Sequence, residues 1–114
     1  IQTSYFLKVI KLGLLERAVS ISPEPPPGID LPCYPALIPP LFLQQDFSRD
    51  GNTLMYRRKY FRQLMKLDPY KVLKDLGGKI LCCTEDSEIF CHRHLISEWI
   101  YVETKHFITE IYID

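Results

Sequence analysis

Hydrophobic and polar positions change their period several times along the chain, between the alternation typical of strands and the spacing typical of helices. Residues 1–3 predict a first strand. The apolar positions from Tyr5 to Leu12 predict a helix that Thr3 or Ser4 caps and Gly13 ends. The alternation over residues 17–22 then predicts a second strand.

The second half of the chain predicts two helices, a strand, a helix and a final strand. These elements are expected at residues 53–66, 69–76, 79–83, about 87–102 and 107–113, with Asp68 as N-cap and Pro69 at the first helical position of the second helix. Helices that alternate with short strands predict an α/β fold. We expect a single three-layer Rossmann-like domain with a mainly parallel four-stranded sheet and helices on both faces.

Residues 23–40 contain eight prolines, which is too many for regular structure. Apolar residues such as Ile29, Leu31 and Leu37 lie between them, so we expect this loop to be pinned against the core. Two interpretations stay open. The loop is either a stiff connector or a rigid wall for a pocket, since loops that follow strands often carry sites.

Composition limits the protein class more than it identifies a function. A chain of 114 residues that is 46% hydrophobic can build one core, so residues 1–114 are expected to form one domain. Fourteen basic residues balance fourteen acidic residues, and nucleic-acid binding would therefore need a local patch. No apolar run approaches the length of a membrane span and no export signal is visible, which predicts a cytoplasmic protein without membrane contact.

The four cysteines are Cys33, Cys82, Cys83 and Cys91. Cys82 and Cys83 are adjacent on a predicted strand, so their side chains should point to opposite faces and at least one should be a core thiol. Without an export signal, we expect all four cysteines to be reduced.

The segment from Cys83 to His94 concentrates the chain's reactive side chains in twelve residues. It is predicted to run from strand through turn to helix, which places a site at the carboxyl end of a strand. The candidate catalytic residues are Cys91 as nucleophile, with Glu85 and His92 as acid or base. Arg93 and the backbone N–H groups at the start of the helix would bind an anion, and Thr3, Ser4 and Tyr5 would add contacts from the first strand.

The chain contains Cys83-x-Glu85 followed by Cys91-His92-Arg93, the opening Gln2-Thr3-Ser4-Tyr5-Phe6, the pair Tyr56-x-x-x-Tyr60, and Arg93-His94-Leu95-Ile96-Ser97-Glu98-Trp99. These motifs together resemble those of domain-of-unknown-function family 488, which occurs in bacteria and phages. The resemblance covers nearly the whole chain. It implies a small intracellular α/β protein, and it implies no settled activity.

Structural roles are the alternative for the same residues. Cys91 could be a buried core residue, Arg93 could pair with Glu85 or Asp86 to tie the loop to the helix, and His92 could donate to a backbone carbonyl. His94, two residues from His92, should face another side of the helix and have a surface or supporting role.

A zinc site is a further alternative, since Cys83, Cys91, His92 and His94 are zinc-type ligands. Their spacing lacks the C-x2-C or H-x3-H pair that closes tetrahedral sites, and one helix cannot easily turn both histidines toward one ion. We therefore predict no metal and no cofactor.

Nucleic-acid binding rests on residues 56–62, where Arg57, Arg58, Lys59 and Arg62 are interleaved with aromatic residues. In the alternative, the aromatic side chains pack inward and the charges are solvated. The favoured function is binding or processing of a phosphorylated ligand, either a nucleotide or a nucleic-acid component. A non-enzymatic protein- or nucleic-acid-interaction module is the alternative, and the oligomeric state stays open.

Overall fold

The computed structural model describes residues 1–84 and 90–111. Its elements are β1 (Gln2–Tyr5), α1 (Phe6–Lys11), β2 (Ala18–Ser20), α2 (Leu41–Asp50), α3 (Thr53–Leu64), α4 (Pro69–Asp75), β3 (Ile80–Cys83), α5 (His92–Thr104) and β4 (Thr109–Glu110), with short 3-10 turns at Leu15–Arg17 and Pro35–Leu37. No helix in these two ranges is long and apolar enough to cross a membrane.

The four strands form one sheet in the order β2-β3-β1-β4, and every neighbouring pair is parallel. The predicted parallel four-stranded α/β fold is confirmed. Thr3 of β1 lies in register between Leu81 of β3 and Glu110 of β4. The carboxyl ends of β1, β2 and β3 consequently meet at one edge of the sheet.

Alternate residues of β3 supply two separate hydrophobic clusters, one on each face of the sheet. Leu81 and Cys83 pack with residues of α3, α4 and α5, whereas Ile80 and Cys82 pack with α1. This confirms the prediction that the adjacent Cys82 and Cys83 side chains point to opposite faces. The result is a three-layer arrangement in which the α5 face holds the larger core.

Helix α2 was not expected from the sequence. Of its ten residues only Leu43 is buried, while Leu41 and Phe42 are exposed, so its hydrophobic positions do not form the stripe that indicates a helix. The helix follows Pro40 and ends at Gly51, whose positive φ of 63° suits a left-handed C-cap.

Two predicted helix starts are wrong. Thr3 and Ser4 belong to β1, and the N-cap of α1 is Tyr5, which makes no side-chain capping bond. Helix α5 begins at His92 instead of near Ser87, because Cys91 has an extended backbone and serves as N-cap. By contrast, Asp68 caps α4 as predicted, since its carboxylate accepts from the N–H groups of Tyr70 and Lys71.

The proline-rich loop is pinned to the core, as expected. Cys33 forms an isolated parallel bridge with Ser20, and Leu37 is fully buried. Tyr60 of α3 donates a hydrogen bond to the Leu37 carbonyl, and Gln63 donates to the Ile38 carbonyl at 2.9 Å. These side-chain bonds to the backbone order a segment that has little regular structure.

A buried ion pair joins α5 to the edge of the sheet. The Arg93 guanidinium donates to both carboxylate oxygens of Glu110, with Nε–Oε1 and Nη2–Oε2 distances of 3.0 Å. Thr3 Oγ1 donates to Glu110 Oε1 at 2.6 Å. The Arg93 side chain is fully buried and that of Glu110 is 5% exposed. The pair therefore connects α5, β4 and β1 out of reach of solvent.

Glu110→Gln should lower the free energy of unfolding by about 3 kcal/mol, because it removes one charge of a buried ion pair. The matched control is Glu98→Gln, which breaks the solvent-exposed pair that Glu98 forms with Arg57 and should cost less than about 1 kcal/mol. Urea unfolding of both variants measures the difference. Equal losses would contradict a structural role for the buried pair.

Candidate functional site

Cys83 and Cys91 bring the end of β3 to the beginning of α5. Cys83 is the last residue of the strand, Cys91 is the N-cap of the helix, and their sulfur atoms are paired in a disulfide. The expectation that all four cysteines are reduced is thus wrong for this pair, while Cys33 and Cys82 are free thiols. The sequence shows only that the pair is eight residues apart, whereas the packing of α5 on the sheet brings the two sulfurs together.

His92 is a buried, neutral imidazole with a defined tautomer. Its Nε2 lies 2.6 Å from the Ile21 carbonyl oxygen. Because a carbonyl only accepts, Nε2 must carry the proton, and Nδ1 therefore presents a lone pair, 3.6 Å from Cys91 Sγ. Burial lowers the pKa of His92 to about 4, an effect that the bond to Ile21 opposes and the neighbouring Arg93 charge reinforces.

Arg93 contacts the same cluster from its other side. Its Nη1 donates to Cys83 Sγ at 2.8 Å, and its guanidinium carbon lies 5.8 Å from the centre of the Tyr5 ring. Glu110, its ion-pair partner, was not predicted. One feature of the sequence could have indicated it: Glu110 lies between the apolar residues Ile108 and Ile111, and a carboxylate buried in a strand is usually paired with a positive charge.

The structure gathers only part of the predicted site. Thr3 and Tyr5 reach Arg93 or its partner, whereas Ser4 is in register with Cys82 and shares that residue's face of the sheet. Ser4 Oγ is buried and has no hydrogen-bond partner among the described residues. Glu85 lies outside the described residues. His94 is partly buried, and burial lowers its pKa.

Two adjacent cavities lie beside the carboxyl ends of β2 and β3. The larger, about 560 Å³, is lined by Ser22, Pro23, Glu24, Leu41, Gln44, Gln45, Ser48, Arg49 and Thr84. The smaller, about 260 Å³, is lined by Gln44, Phe47, Ser48, Tyr56, Phe90, Cys91 and His92. Gln44 and Ser48 belong to both linings, so α2 forms their common wall. Neither residue is predicted from the sequence, because the hydrophobic pattern does not indicate α2.

Three of the four zinc-type ligands considered from the sequence come together. The ligand atoms of Cys83, Cys91 and His92 lie within 4.8 Å of one another, and all three residues are buried. His94 is not part of this group, which agrees with the expectation that His92 and His94 do not face one ion.

Helix α3, which carries the candidate nucleic-acid-binding residues, is only partly available for binding. Tyr56, Tyr60 and Leu64 are buried on its inner face, as predicted by the alternative in which the aromatic side chains pack inward. Arg57 is committed to the Glu98 carboxylate. Arg58, Lys59 and Arg62 are exposed.

Comparison of the chain with protein-family models, with curated proteins and with solved structures gives no match. The resemblance to family 488 stays a prediction, as do the catalytic roles of Cys91, His92 and Glu85.

The lowered pKa of His92 predicts that stability falls as pH decreases. Above about pH 6.5 the imidazole is neutral in both states, but between about pH 6.5 and 4 the unfolded chain takes up a proton that the folded protein excludes. His92 should thus cost about 2 kcal/mol of folding free energy at pH 5 relative to pH 7.

Urea unfolding of wild type and of His92→Gln at pH 5 and pH 7 tests this prediction. The His92→Gln variant should lose most of the wild-type difference in unfolding free energy between the two pH values. The control is His106→Gln at an exposed position, which should keep the wild-type difference. A His92→Gln variant with unchanged pH dependence would contradict the assignment.

Proposed function

We propose that the protein binds, and in its reduced form processes, a phosphorylated small molecule of the nucleotide or nucleic-acid-component class in the two adjacent cavities. The observation that carries this proposal is the shared wall at Gln44 and Ser48. This wall places the larger cavity beside the smaller one, whose lining includes Cys91 and His92.

The position of the cavities supports an anionic ligand. They lie at the carboxyl ends of parallel strands, where α/β folds commonly bind ligands. The smaller one reaches the first residues of α5, a 13-residue helix whose N-terminal N–H groups and dipole favour a negative charge.

The lining supplies suitable partners for phosphate and ribose oxygens. Hydroxyl and amide groups come from Ser22, Gln44, Ser48 and Thr84, beside the Glu24 carboxylate. Arg49 contributes a cation, and its ion pair with Asp46 is solvent-exposed and therefore weak enough to be exchanged for a ligand anion. Arg93 is buried and bound to Glu110, so an anion would contact it directly only by displacing that carboxylate. We therefore assign the direct contacts to Arg49 and the helix amides, and to Arg93 the task of holding the first turn of α5 in place.

Cys91 is the proposed reacting group. In the reduced protein its thiol lies at a helix N-terminus, which favours the thiolate, and it can donate its proton toward the Nδ1 lone pair of His92. A cytoplasmic location, where thiols are kept reduced, belongs to this proposal.

Alkylation of the reduced protein with iodoacetamide, read by peptide mass spectrometry, tests the ligand class. A panel of inorganic phosphate, pyrophosphate and nucleoside mono-, di- and triphosphates should include a compound that slows labelling of Cys91 without slowing labelling of the exposed Cys33. Protection confined to Cys91 would support binding in the cavity. Protection by no compound in the panel would overturn the proposal.

Ser48→Trp should weaken binding of the protecting compound at least about tenfold, since Ser48 lines both cavities and the indole would occupy space that the ligand needs. The control is Lys74→Trp at an exposed position of α4, which should bind as wild type does. Isothermal titration calorimetry measures both affinities, and thermal unfolding checks that both variants are folded. Unchanged affinity in the Ser48 variant would place the ligand elsewhere.

Single-stranded nucleic acid is a second candidate ligand, and one groove favours it. The groove is about 310 Å³, and its lining includes the basic residues Lys59, Arg62 and Lys66 and the exposed aromatic ring of Phe42. Cations beside an exposed ring suit phosphate contacts combined with base stacking.

Arg62→Glu should weaken binding of a single-stranded oligonucleotide and flatten its salt dependence, because one phosphate contact is lost and a repulsion is added. Fluorescence anisotropy at several salt concentrations measures both effects. The control is Lys74→Glu, which changes charge equally at an exposed residue of α4 outside this groove and should leave oligonucleotide affinity unchanged. Equal effects in the two variants would indicate non-specific charge attraction.

A further inference from the structure

We propose that Cys83, Cys91 and His92 of the reduced protein bind a thiophilic divalent cation of the zinc type. Two sulfurs and an imidazole nitrogen form a common donor set for this ion. The three donor atoms already lie within 4.8 Å of one another, and the three residues lie on the end of a strand and the start of a helix. The inference does not depend on the phosphorylated ligand proposed above.

The orientation of His92 supports the assignment. Histidines that ligate metals usually donate their second ring N–H to a backbone carbonyl or a carboxylate, which fixes the tautomer and the ring direction. His92 does this through Nε2 and the Ile21 carbonyl, and the Tyr60 ring packs edge-on against the imidazole. The remaining lone pair on Nδ1 is directed to the side on which Cys91 Sγ lies.

The backbone spacing also suits an ion between the two sulfurs. The Cα atoms of Cys83 and Cys91 are 7.7 Å apart. Tetrahedral zinc with Zn–S bonds of about 2.3 Å holds two sulfurs about 3.8 Å apart, a distance compatible with this backbone separation.

The surrounding charges are compatible with two thiolates and a cation. Arg93 Nη1 donates to Cys83 Sγ, and an N–H donor of this kind stabilises the thiolate that a metal needs. Glu110 cancels the Arg93 charge. Binding would release the two thiol protons, while His92 would keep its Nε2 proton, so the ion and its ligands would have no net charge.

Three protein ligands leave one tetrahedral position, and its surroundings indicate what would fill it. Cys91 and His92 both line the smaller cavity, which is large enough for a water molecule or for an oxygen of a small ligand. A site of this composition resembles the open arrangement of catalytic zinc ions more than the closed arrangement of structural ones. In that state Cys91 would be a ligand, and the ion would take its place as the reactive centre.

The test uses the full chain, reduced and free of added metal, with Zn²⁺ and Co²⁺ as probes and no other ligand present. Native mass spectrometry should show one ion per chain. Co²⁺ should give a sulfur-to-metal charge-transfer band together with tetrahedral d–d bands. Cys83→Ser and Cys91→Ser should each weaken binding by more than about 100-fold, since even loss of a residue that only supports a ligand costs 10–100-fold.

Cys33→Ser and Cys82→Ser are the matched controls and should bind as wild type does, because Cys33 is exposed and Cys82 lies on the opposite face of the sheet. If a ligand variant fails to fold, alkylation of wild type decides instead: Zn²⁺ should protect Cys83 and Cys91 but not Cys33. Failure of the folded, reduced protein to bind either ion, or loss of binding in a control variant, would overturn the inference. If metal binding fails but a nucleotide still protects Cys91 from alkylation in the absence of metal, the phosphorylated-ligand proposal stands and only the metal site is overturned.

Discussion

The buried ion pair between Arg93 and Glu110 determines where α5 begins relative to the sheet. A guanidinium without solvent must have its charge neutralised and its N–H groups bonded. Glu110 on β4 neutralises the charge and accepts from Nε and Nη2, while Nη1 donates to Cys83 and Thr3 on β1 donates to the Glu110 carboxylate. Since Arg93 lies in the first turn of α5, this requirement positions Cys91 and His92 as well. The geometry of the candidate site is therefore a consequence of where one charge can be buried.

Desolvation shapes the chemistry of that site. The burial that makes Arg93 depend on Glu110 also keeps His92 neutral, with its proton directed to the Ile21 carbonyl and its lone pair toward Cys91. A neutral imidazole beside two sulfurs can accept a thiol proton or ligate a metal, and the same three atoms serve both possibilities. The oxidation state of Cys83 and Cys91 decides whether either is open, because a disulfide neither attacks a substrate nor donates two thiolates to an ion.

Much of the fold could be predicted because its information is local. The alternation in β3, the Asp68-Pro69 start of α4 and the order of strands and helices indicate a parallel sheet without knowledge of any contact. Helix α2 could not be predicted, since its exposed Leu41 and Phe42 obscure a helical period. The sequence predicts the start of α5 too early, because no residue of the segment 87–91 marks Cys91 as the N-cap.

For the site, the sequence alone specifies the residue types and their place: two cysteines, a histidine and an arginine where a strand leads into a helix. It also determined that Cys82 and Cys83 face opposite ways, because that follows from strand geometry alone. Three features depend on packing: Glu110 neutralises Arg93, the Ile21 carbonyl orients His92, and Gln44 and Ser48 line the cavities. These contacts join residues far apart in the chain. Which distant residues meet depends on how the helices pack on the sheet, and the local periodicity of hydrophobic residues does not specify that packing.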